Sequence, residues 1–140
     1  MSLQKLNTTV LVLVTVFYAY GALMHVLNML GLAGFDWLAA PVKWQILDAV
    51  YLALDLLVCV GLSRRFRPSV YAFYGAALTQ IGLYTVLRSW ITDVPEAFAL
   101  SSKQASDLNF LVAFHAICLL LVSASLAFGR SSSNETPADL

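Results

Sequence analysis

The sequence predicts an all-α fold: a polytopic integral membrane protein built as an antiparallel bundle of four transmembrane helices. Three observations predict it. Four apolar runs, at about 8–30, 46–62, 68–88 and 108–128, fill most of the 140 residues. Runs of this length, at about 1.5 Å rise per residue, reach across a hydrocarbon core of about 30 Å. The composition is 60% hydrophobic and 11% charged, against about 25% charged in an ordinary soluble domain. The links between the runs are short, so little soluble mass is left, and residues 1–130 are expected to form one transmembrane domain.

The first run follows Lys5. Its charge, the apolar stretch and the small residues near Ala19 and Ala22 have some of the character of a signal peptide. The run stays apolar through Leu30, which suits a retained anchor better. Gly31, Gly34 and Pro41 then break the helix. Phe35, Trp37, Leu38 and Trp44 make this link aromatic, as expected of a segment lying in the outer interface. The second run ends in Arg64, Arg65 and Arg67, and Pro68 stands where a helix-starting proline belongs. Tyr71, Phe73 and Tyr74 follow as an expected interface belt. Gly75, Thr79 and Gly82 form a small-residue face, for packing inside the monomer or for an oligomer contact. The next link is polar, with Asp93, Pro95 and the serines of 101–106. The tail 131–140, SSSNETPADL, has no apolar face and is expected to be a disordered cytoplasmic tail.

Lysine and arginine set the expected orientation. Lys5, the Arg64–Arg67 turn and Arg130 fall at one side. The other two links hold Lys43 and Lys103 beside Asp36, Asp93, Glu96 and Asp107. The positive-inside rule puts both termini in the cytoplasm, and a bacterial inner membrane is the expected location. Formal net charge is zero and no basic block is present, so no nucleic-acid partner is expected. The expected partners are the lipid bilayer and another membrane protein, or a second copy of the chain.

The polar residues inside the runs carry what functional signal there is. His25 and Asn28 share one face of the first run. Asp48 and Asp55, seven apart, share one face of the second. Gln80, Tyr84 and Arg88 make one stripe along the third. His115 lies in the fourth, with Cys118 near the same face. His25, Asp48, Tyr84 and Arg88 fall in the outer half, and Asp55, Gln80 and His115 nearer the midplane. Charge inside a bilayer is costly, so these groups should turn inward and find partners. Asp48 and Arg88 are the expected pair. Asp55 is deeper, and is expected to be either protonated or hydrogen-bonded to Tyr84, Gln80 or His115. The cluster is either packing glue or a ligand site.

No cofactor is required by any motif. His25 and His115, on the first and last runs, are the weak candidates for ligating one haem b from two sides, or with Asp48 another metal. Cys59 and Cys118 lie on different runs, and no CxxC motif is present.

The sequence also resembles small DoxX-like four-helix membrane proteins. The residues that carry the resemblance are Gly21–His25 (GALMH), the aromatic link with Pro41, and the stretch 55–65 (DLLVCVGLSRR) leading into a basic turn. It covers the first three runs. It implies a small inner-membrane protein, sometimes a subunit of a quinone-linked oxidoreductase, and no catalytic residue is carried over. The leading expectation is a non-enzymatic subunit or adaptor of a membrane complex. One alternative is a binding or redox module for haem, quinone or another lipophilic ligand in an outward-facing polar pocket. Another is a proton-coupled carrier or small membrane enzyme using Asp55 and His115.

Overall fold

The computed structural model describes residues 7–34, 36–64 and 66–131, without the side chains of 128–131. The expectations for Lys5, Phe35, Arg65 and the tail at 132–140 lie outside the described residues, as does the side chain of Arg130. Among the described residues the chain is mostly helical: α1 (Thr8–Met29), α2 (Val42–Ser63), α3 (Pro68–Tyr84), α4 (Arg88–Thr92) and α5 (Ser102–Ser131), with one 3-10 turn at Glu96–Phe98.

The four-span bundle expected from the sequence does not form. Among the described residues, three helices are long and apolar enough to cross a membrane: Thr8–Met29, Val42–Ser63 and Ser102–Ala127, with mean hydropathies of 2.1, 2.0 and 2.4. The run at 68–88 is interrupted. α3 has 17 residues, a rise of about 25 Å, and stops at Tyr84. Its end is marked by a wide turn, in which Leu87 N–H donates to the Gly82 carbonyl at 3.0 Å, five residues back instead of four. The Ile81 carbonyl accepts from both the Thr85 N–H at 3.0 Å and the Thr85 hydroxyl at 2.6 Å, so the last turn is held by a side chain as well as by the backbone. Arg88 therefore opens a separate short helix instead of continuing the α3 stripe. The apolar composition of 68–88 hides this break, because hydropathy is blind to backbone termination.

The other boundaries have local causes. Asn7 caps α1, its side chain accepting from Thr9 N–H at 2.9 Å. α1 ends at Gly31, whose φ of 69° only glycine adopts cheaply. Two bonds seal that end, Gly31 N–H to Asn28 O and Leu32 N–H to Leu27 O, both 2.9 Å. α2 starts after Pro41 and α3 with Pro68 in its first turn. At the short α2–α3 turn Gly61 abuts Ser69, and a Cβ on Gly61 would lie 2.5 Å from the Ser69 Cβ.

α1 packs on α2, α2 on α3, α3 on α5 and α5 on α1, which closes a ring. Asn7 N–H donates to Ser125 Oγ at 2.8 Å, and the Tyr74 and Ser123 hydroxyls are hydrogen-bonded at 2.7 Å. The start of α1, the α2–α3 turn and the far end of α5 therefore share one end of the molecule. That end is dry inside, with a core of Val14, Val58, Leu62, Phe73, Cys118 and Val122. Phe73 belongs to this core at 1% exposure, while Tyr71 is exposed, so the expected aromatic belt is split. Cys59 and Cys118 are free thiols. Outward side chains of the long helices, such as Val12, Val16, Leu56, Val60, Ile117 and Leu120, are exposed and apolar. Such faces support an integral-membrane location, where lipid covers them.

Candidate functional site

The opposite end of the ring is polar inside, and glycine makes that possible. A Cβ on Gly21 would collide with Asp55 Oδ2. Its absence lets α1 close onto α2 at the carboxylate. One turn further, on the same face, His25 reaches two carboxylates at once. Its Nδ1 lies 2.6 Å from Asp48 Oδ1 and its Nε2 3.8 Å from Asp55 Oδ2. Asp48 and Asp55 are two turns apart on α2, so their side chains stand in line to flank one imidazole. Both are buried, Asp55 to 3% exposure.

Asp48 gathers further donors. Asn28 Nδ2 donates to Oδ1 at 3.0 Å, and the Trp37 indole N–H donates to Oδ2 at 2.9 Å. Trp37 is held in place by its own link. Asp36 Oδ1 accepts from Leu38 N–H at 3.0 Å, an Asx turn. Gln45 Nε2 donates to the carbonyls of Trp37, Leu38 and Ala40 at 3.0–3.2 Å. An ionised carboxylate only accepts, so His25 Nδ1 carries the hydrogen in the bond to Asp48. That bond orients Nε2 toward Asp55. At 3.8 Å the second contact is ion-pair spacing, not a hydrogen bond.

Beside this cluster lies a cavity of about 400 Å³, within the usual range for small-molecule sites. Its polar wall is His25, Asn28, Asp48, Tyr51 and Tyr84, and its apolar wall includes Leu47, Ile91, Leu100 and Leu108. The segment 91–100 forms its cover, and three side chains fasten it. Lys43 Nζ donates to the Trp90 and Asp93 carbonyls, each at 2.5 Å. The Trp44 indole donates to the Ile91 carbonyl at 2.9 Å. Arg88 ties α4 to α5, through the Asn109 side chain and the Ala105 carbonyl.

The sequence-predicted residues thus divide. His25, Asn28 and Asp48 meet in one hydrogen-bonded cluster, with Asp55 against His25 and Tyr84 across the cavity. Arg88 does not pair with Asp48, correcting that expectation. With α3 closed at Tyr84, the guanidinium turns to α5. Gln80 is buried, and its Oε1 has no partner among the described residues. Asp55 meets His25 rather than His115. His115 is 1% exposed. Its Nδ1 donates to its own helix at Leu111 O, 2.8 Å. Its ring stands edge-on to Phe17 and Tyr18. It does not line the cavity that His25 lines, so the two histidines are not presented to one haem from two sides. No group of three or more His, Cys, Asp or Glu among the described residues is placed to hold a metal ion, which removes the His25–Asp48–His115 metal reading.

Gly75 and Gly82 have nothing within 4 Å of a built Cβ, so the small-residue face of α3 is open within the chain. Sequence reasoning missed Gly21, Trp37 and Tyr51. The signal for Gly21 was its four-residue spacing to His25. For Trp37 it was an indole N–H that must find an acceptor once its ring is buried.

Comparison with family models, with curated proteins and with solved structures gives no match.

Proposed function

We propose that this small helical membrane protein is a binding module that holds a lipophilic molecule in the cavity beside His25 and Asp48. The observation that carries the reading is the cavity itself. A polar layer serving only as packing glue in a subunit or adaptor would close on itself. Here, instead, His25, Asn28 and Asp48 stand at the edge of about 400 Å³ of open space faced by apolar side chains. Convergent polar groups against an apolar wall are the usual makeup of a small-molecule site. Of haem, quinone or another lipophilic ligand, the latter two suit it better. The wall offers one imidazole, already bonded to a carboxylate, and His115 is elsewhere. In this reading the protein sits in a bacterial inner membrane. Arg64 and Arg67 lie on the cytoplasmic side with both chain ends, and the cavity opens toward the outside.

The test is co-purification. Protein taken from its native membrane is extracted with organic solvent and the extract weighed by mass spectrometry. The reading predicts a small lipophilic molecule enriched over bulk lipid. It also predicts loss of that molecule from a folded Ala99→Phe variant, in which a larger side chain enters the cavity wall. Equal recovery from both proteins overturns the reading.

A further inference from the structure

The wall of the cavity specifies more than lipophilicity. Among the described residues, no lysine or arginine lines it. The nearby basic groups are committed elsewhere. Lys43 binds the Trp90 and Asp93 carbonyls and stands 5.2 Å from the Trp90 ring centroid. Arg88 is engaged by Asn109 and the Ala105 carbonyl. A phosphate or carboxylate headgroup would enter a space lined by the Asp48 carboxylate, with no lysine or arginine to receive it.

A cationic headgroup meets a different obstacle. Asp48 already accepts from His25, Asn28 and Trp37, which fill three of the about four acceptor sites on its two oxygens. Asp55 lies beyond His25, packed against Gly21 and 3% exposed. A buried ammonium would be stripped of water and meet, in place of a free carboxylate, one open acceptor site on Asp48. Of the uncharged polar side chains in the wall, Tyr84 stands against the apolar side at Ile91. It lines the cavity, and its hydroxyl makes no hydrogen bond to any described residue. A hydroxyl in that position is a donor open to an acceptor oxygen of a ligand.

We infer that the cavity takes an amphiphile with an uncharged oxygen headgroup, an alcohol, ester or ketone, whose oxygen accepts from the Tyr84 hydroxyl while its tail follows Leu47, Ile91, Leu100 and Leu108. This rests on the reading of the cavity as a lipophile site and names the class of ligand.

The experiment uses three amphiphiles with the same 12-carbon chain, brominated next to the head: an alcohol, a carboxylate and a trimethylammonium. Bromine quenches the emission of Trp44, which lines the cavity. Quenching by each is titrated on the full chain in micelles, with Ala99→Phe as the filled-cavity control. The alcohol should bind on the order of tenfold more tightly than either charged probe. Tyr84→Phe should weaken the alcohol by about the same factor, the worth of one buried neutral hydrogen bond, while leaving the charged probes unchanged. A charged probe that binds as tightly as the alcohol, and is lost in Ala99→Phe, overturns this inference and leaves the cavity reading standing. An alcohol preference indifferent to Tyr84→Phe overturns the role of Tyr84. Quenching that is the same in wild type and Ala99→Phe for all three probes overturns the cavity reading as well.

Discussion

His25 is the residue on which the site turns, because it touches two carboxylates through its two nitrogens. Asp48 is its structural anchor, accepting from three side chains on α1 and the following link. Asp48→Ala leaves three donors without their acceptor. The expected loss is about 1–3 kcal/mol, read as lower thermal stability in detergent, with Asp48→Asn losing less because it keeps one acceptor oxygen. An unchanged melting temperature in Asp48→Ala would contradict the cluster. Arg88→Gln should also destabilise, through α4 and α5. Combined with Asp48→Asn its effect should be additive within about 0.5 kcal/mol, because the two residues share no partner. Strong coupling would restore the direct pair that the sequence suggested. The sequence made the face-sharing of His25 with Asn28, and of Asp48 with Asp55, legible through helical spacing alone. It could not show the partner of Asp48. Its partners depend on how α1 closes on α2 at Gly21 and on a tryptophan in a link, neither of which has a periodic signature.

At the scale of elements, glycines separate packing contacts from open faces. Gly21 and Gly75 look alike in the sequence, each a glycine inside an apolar helix. Only Gly21 faces another helix at contact distance. Gly21→Ala should push α1 off Asp55 and cost about 1–3 kcal/mol, as overpacking does. Gly75→Ala meets nothing and should be neutral, or stabilising by up to about 1 kcal/mol through helix propensity. Thermal unfolding of the two variants side by side checks this, and equal losses would refute the contact between α1 and α2. The interruption after Tyr84 is the largest departure from the sequence expectation. An apolar run of span length was present, but Thr85 and the Leu87–Gly82 bond close the helix inside it. The helix start at Pro68 and the end at Gly31 were readable because proline and glycine act locally, whereas the cap at Asn7 was not singled out.

At the scale of the whole molecule, one end is a dry core and the other a polar cluster beside a cavity. Asn7 and Ser125 meet at the dry end, near Arg64 and Arg67. If that end is cytoplasmic, a membrane-impermeant maleimide applied to intact cells should label Asp36→Cys and leave Ser63→Cys unlabelled. The reverse pattern would invert the orientation. The concentration of expensive polar residues toward one end was legible from their positions in the runs. The cavity was not, because it arises from the segment 91–100 folding over the helix ends, and the apolar side chains of that segment, Ile91, Val94, Phe98 and Leu100, follow no helical period.

The central claim is that the space beside His25 and Asp48 receives a lipophilic molecule. Photoaffinity mapping tests it most directly. A 12-carbon alcohol carrying a diazirine in its chain is irradiated with the purified protein, and the adducts are located by peptide mass spectrometry. The account predicts adducts concentrated on Leu47, Ile91, Leu100 and Leu108, and lost when unlabelled alcohol is in excess. Adducts spread over the outward faces of the helices, at Val12, Val16 and Ile117, with no protection by the unlabelled alcohol, would contradict it.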